Sequence, residues 1–254
     1  MVLLDAVILF FAGVLAGAVN AVAGGGTFLA FGVLTLVGMA PITANATSAV
    51  AQLPGYVTST LAYWHDIGRM WRGALLLCLV SAAGALAGAL ILLALDNPSF
   101  QAMVPWLLIA ATALFAIGPR LKPAPRQGAG TGAGAPLGAL VQFTASIYGG
   151  FFGAGMGVMM LATLGLTESG DYHKLNALKN MLSIVIAIVA ITVFVSGGVV
   201  AWPQAAAMVP GVALGGYGGI WLARGGPRPI LPGFVGRVGL LLGPFFFVGD
   251  CSAE

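Results

Sequence analysis

The chain has 254 residues, of which 59% are hydrophobic and 7% charged, and its net charge is +3. Soluble domains carry about 25% charged residues, so a mean hydropathy of +1.03 excludes a water-soluble core and makes lipid the solvent. The lack of a basic patch with interleaved aromatics excludes nucleic acid as a partner, and two distant cysteines, Cys78 and Cys251, build neither a disulfide framework nor a metal site.

A membrane-crossing helix needs about 20 mostly apolar residues. The first apolar region, 4–38, is too long for one crossing and is broken near its middle by Gly24-Gly25-Gly26. It reads as a hairpin of two short helices that returns to its starting side. Its opening, MVLLDAVILF, has no basic leader and reads as a first span rather than a cleaved signal. Spans are then predicted over 44–63, 73–95 and 102–119. A Pro-, Gly- and Arg-rich linker follows at 119–135. The second broken region, 136–166, is interrupted at Gly153, Gly155 and Gly157, and spans follow over 175–196, 204–223 and 232–249.

The positive charges test this layout. All ten Lys and Arg residues fall in four places, around Arg69, Lys122, Lys179 and Arg228. With these on the cytoplasmic side, the Lys- and Arg-free segments 39–43, 96–101, 197–203 and 250–254 lie outside, as do both termini. Each half, 1–118 and 136–254, then makes an odd number of passes. The predicted fold is an all-α polytopic membrane protein with an inverted repeat, each half a glycine-broken hairpin followed by three transmembrane helices.

The halves also correspond residue by residue. AGGGT (23–27) matches GAGMG (153–157), and NATSAVAQ (45–52) matches NALKNMLS (176–183). Asn45, Ser48 and Gln52 share one helical face, as do Asn176, Lys179 and Ser183. Asn180 belongs to the second segment and Asn20 precedes the first break. One reading of these stripes is packing between helices. The other is a binding site, because a helix interrupted at membrane depth survives only where its backbone lines a cavity. Thr27 is placed to cap the helix after the first break. Two half-helix N-termini, with partial positive charge and free donors, then build an anion site with the two stripes. Lys179 supplies the charge in this reading; the alternative is that it snorkels to the cytoplasmic surface. Gly13-Gly17, Gly84-Gly88 and Gly211-Gly215-Gly219 have the small-residue spacing of close helix contacts.

NAVAGGGTFLAFGVL with ITANATSAVAQLPG, and GGFFGAGMGVMMLATLG with HKLNALKNMLS, resemble the sulfite exporter (TauE/SafE) family over essentially the whole chain. The resemblance implies a transporter of small sulfur-containing anions such as sulfite, thiosulfate or organosulfonates in the bacterial inner membrane. No cofactor is expected, and a homodimer is left open. The plainer GAGMG of the second half implies two unequal half-sites. An intramembrane enzyme fares poorly. None of the seven acids lies mid-span, His65 and His173 sit at span ends, and no HExxH or GxxxxGK[ST] occurs. A passive anion channel or a non-transporting membrane subunit is the remaining alternative.

Overall fold

In the computed structural model, described for residues 3–62, 64–117, 135–167 and 172–225, the chain is helical, with no strand among the described residues. The helices are α1 (Leu3–Ala23), α2 (Gly26–Leu36), α3 (Pro41–Ala62), α4 (Trp64–Leu93), α5 (Asn97–Ile117), α6 (Ala135–Phe151), α7 (Met156–Thr167), α8 (Tyr172–Ser196) and α9 (Trp202–Gly225). Proline at or just inside the starts of α3, α5 and α9 (Pro41, Pro98, Pro203) fits positions whose N–H has no intrahelical acceptor.

Both predicted hairpins form, broken at residues 24–25 and 152–155. Their arms are unequal, which the sequence reading did not foresee. α1 has 21 residues, about 31 Å at 1.5 Å per residue, and its stretch Leu3–Ala21 is long and apolar enough to cross a membrane. α2 has 11 residues, about 16 Å, and reaches only part of the way. A second difference lies at Arg69 and Arg72. Helix α4 begins at Trp64 and takes in this stretch ahead of the predicted span 73–95. The predicted linker 119–135 (all but its last residue) and span 232–249 lie outside the described residues, as does Cys251.

Three of the four Lys- and Arg-free segments come together at one end of the molecule. The Ile42 amide donates to Asn97 Oδ1 at 3.2 Å, and the Ala201 amide donates to Thr47 Oγ1 at 3.0 Å. Gly197 sits against Leu93.

Packing follows the small residues. Backbone contacts pair Gly13 with Met208, Gly17 with Val212 and Gly215 with Val14, so α1 and α9 run parallel in close contact. In the same way Gly84 meets Phe143, and Gly88 meets Ile147, joining α4 to α6 in parallel. α9 also lies along α3, where Thr58 and Ser59 donate to the Ala213 and Gly216 carbonyls, and α4 lies along α8. Antiparallel α3 and α8 meet in the centre. Leucines 75, 76, 79, 86 and 90 of α4 are turned outward, the lipid-facing surface of a helix whose segment Ala74–Leu93 is itself span-length.

Candidate functional site

The two helix breaks touch. Gly24 adopts φ 81°, and Gly153 and Gly155 adopt φ 70° and 76°, a left-handed backbone that costs other L-residues about 1–2 kcal/mol. Gly157, at the start of α7, lies directly against the Gly24 backbone with no room for a Cβ. Thr27 joins the two turns: its hydroxyl donates to the Gly153 carbonyl at 3.1 Å and accepts from the Gly155 N–H at 3.3 Å. The expectation that Thr27 caps α2 is therefore corrected. Gly25 holds the N-cap position, no side chain caps the helix, and the Thr27 hydroxyl is spent on the opposite break.

The predicted stripes face these breaks, each across from the other half. Asn45 of α3 donates from Nδ2 to the Phe151 carbonyl at 3.0 Å. Asn176 of α8 donates to the Ala21 carbonyl at 3.2 Å, and the Lys179 ammonium donates to the Asn20 carbonyl at 3.1 Å. Phe151, Asn20 and Ala21 belong to the last turns of α6 and α1, where helical carbonyls run out of intrahelical donors. A cation there also meets the negative end of the helix dipole. Lys179 is 0% exposed, so it does not snorkel, and the choice left open by the sequence closes toward burial.

The stripes divide into two clusters. Around the second break, Thr27, Asn45, Ser48, Gln52 and Gly153 line a cavity closed on its other side by Phe152, Met156, Ile186, Ala190 and Phe194. It holds little more than one water molecule. Asn20, Asn176, Lys179, Asn180 and Ser183 are buried but do not line it, and the first three gather at the first break. Ser183 turns to the Met160 sulfur at 3.7 Å. Gln52 and Asn180 are 0% exposed, yet neither end of either amide has a partner within the protein, and Asn45 Oδ1 has none. An unsatisfied buried polar group costs about 1–3 kcal/mol, so each of these atoms calls for a partner from outside the protein chain.

Two features escaped the sequence reading. Tyr56 lines the cavity and interacts with the Asn20 side chain; it extends the Asn45–Ser48–Gln52 face by one more turn, a spacing that signals it. The second break is wrapped in aromatics: Phe31 and Phe100 meet Phe152 edge-on with centroids 5.3 and 5.9 Å apart, and the Tyr148 hydroxyl donates to the Ala154 carbonyl at 2.7 Å. The doublet Phe151-Phe152 beside the glycines was the available clue.

Helical membrane architecture with interrupted helices meeting at a polar seam defines a transporter-type membrane protein. The sulfite exporter TauE/SafE family model matches residues 9–245, and the chain belongs to that family of membrane transporters. It is 27% identical over 208 residues to a probable membrane transporter protein of Haemophilus influenzae, covering 82% of this chain and 81% of that one. It is 26% identical over 224 residues to the probable membrane transporter protein YfcA of Escherichia coli K12, covering 88% and 80%. No solved structure matches the chain.

Proposed function

We propose that the chain is a secondary transporter of small sulfur-containing anions, such as sulfite, thiosulfate or organosulfonates, in the bacterial inner membrane. The observation that carries this reading is the seam itself: two helix breaks in contact, buried amides without protein partners, and one fully buried ammonium. The unpaired N–H groups of the Gln52 and Asn180 amides are donors for an oxyanion. Gly25, at an N-cap without a side chain, lets an oxyanion approach the positive end of α2. Lys179 is the only Lys, Arg or His side chain among the described buried residues.

The halves 1–118 and 136–254 form an inverted repeat in this reading. Its support is the exchange of partners: α1 with α9 mirrors α6 with α4, and α3 with α9 mirrors α8 with α4. Asn45 on the second break mirrors Asn176 on the first. The aromatic wrapping of the second break alone makes the half-sites unequal. The linker 119–135 faces the cytoplasm, and the termini face outward.

Counterflow in proteoliposomes tests the proposal. Labelled sulfite, thiosulfate or a short alkanesulfonate is expected to enter faster when the same unlabelled anion fills the lumen, and a pH gradient reports coupling. Saturable entry with no trans-stimulation would replace the carrier by a passive channel. No entry of any of the three would remove the sulfur-anion assignment.

A further inference from the structure

The polar bonds described above fall into a pattern that the sequence halves conceal. α1, α2, α3 and α9 pack on one another, as do α4, α6, α7 and α8, while the two groups meet along α3 and α8 and α5 touches both, at α7 and at α3. Each group holds three consecutive helices of one half and one helix of the other. Inside each group the contacts are backbone against backbone at glycines: α1 on α9, and α4 on α6. Such interfaces are tight and resist sliding. Between the groups one such contact stands among the described glycines, Gly24 against Gly157, beside ring packing of Phe31 on Phe152 and side-chain hydrogen bonds. Among the described residues, Thr27, Asn45, Asn176 and Lys179 carry hydrogen bonds that cross. The cavity lies on the same boundary, with Thr27, Asn45, Ser48, Gln52 and Tyr56 from one group and Gly153, Met156, Ile186 and Phe194 from the other.

The geometry points to two moving bodies that trade a helix between the sequence halves, with Gly24 against Gly157 as their pivot and the Thr27 hydroxyl as the latch that opens when they part. This deepens the transport reading above and rests on it for the meaning of the motion. Asn45, Asn176 and Lys179 each bind a carbonyl at a helix end. Thr27 differs in joining one break to the other, in both hydrogen-bonding senses at once. It also lines the cavity, so the bond that closes the two breaks borders the space that must enlarge for an anion to enter. Thr27 is a positioning residue for the closed state.

The test uses the full-length protein without any anion. A cysteine introduced at Ala187, which is buried and lines the cavity, reports opening through its labelling rate with a small charged thiosulfonate, above the background of the native cysteines. A second reporter at Ala89, buried within one body, reports general loosening. Thr27→Val is expected to raise labelling at position 187 about five- to tenfold, the effect of one or two lost hydrogen bonds on a two-state equilibrium. Position 89 stays unchanged, and Thr27→Ser restores the wild-type rate. Thr27→Ala provides the same loss of hydroxyl with less bulk, should the valine variant fail to fold. Unchanged labelling at 187 in a folded variant overturns the latch, and an equal rise at 187 and 89 overturns the two bodies. A rise at 187 in a protein that carries no sulfur anion leaves this inference standing and removes only the substrate assignment.

Discussion

Asn45 and Asn176 each hold one end of a broken helix by its last carbonyls. Side-chain hydrogen bonds within membrane proteins average about 0.6 kcal/mol, with a maximum near 1.7, and a carbonyl stripped of its donor adds a desolvation cost. Asn45→Ala and Asn176→Ala are each expected to lower stability by about 1 kcal/mol in reversible unfolding from mixed micelles. Lys179 allows a sharper separation. Lys179→Gln keeps a polar side chain with an N–H donor, one bond shorter, and removes the charge. Folded protein is expected with transport and anion affinity largely lost, and Lys179→Arg recovers part of both. A wild-type rate and affinity in the glutamine variant would confine Lys179 to the end of α1 and leave the anion to amides and helix N-termini.

Among the helices, glycines serve two separate ends. Gly17 and Gly215 meet backbone across the α1–α9 contact, so Gly215→Val is expected to abolish accumulation of folded protein, read as loss of the monodisperse peak on gel filtration. Gly25 has φ −101°, a conformation open to side chains, and stands at the N-cap of α2. Gly25→Val is therefore expected to block transport while folded yield falls much less; a folded and fully active variant would remove the backbone there from the substrate path. The two broken hairpins were legible in the sequence because glycine runs inside apolar stretches leave few other readings. Lys and Arg placement anticipated which loops gather at one end. The length of α1 follows from the break at Gly24, which leaves a span-length first arm within 4–38; the pattern of a broken hairpin alone suggests two short arms. The role of Thr27 was hidden for a related reason: a threonine after a glycine run looks like a cap, and its true partners are 126 and 128 positions away.

At the level of the whole molecule, the loop-rich end described above sets a test of sidedness. Ala40, Ser99 and Ser196 are exposed there or next to it, and cysteines at these three positions are expected to react with an impermeant maleimide from one side of the membrane only. A cysteine at position 128 of the linker reacts from the other side. Reaction of the three from different sides would break the layout. The pairing of α1 with α9 also has a consequence in time. The glycine face of α1 is made about 200 residues before its partner, and at synthesis rates of about 5–20 residues per second it waits roughly 10–40 s. Through that interval α1 stands in the bilayer with its contact surface covered by lipid or by the insertion machinery, so completion of the first body is a late, post-insertion event governed by the last-made helices.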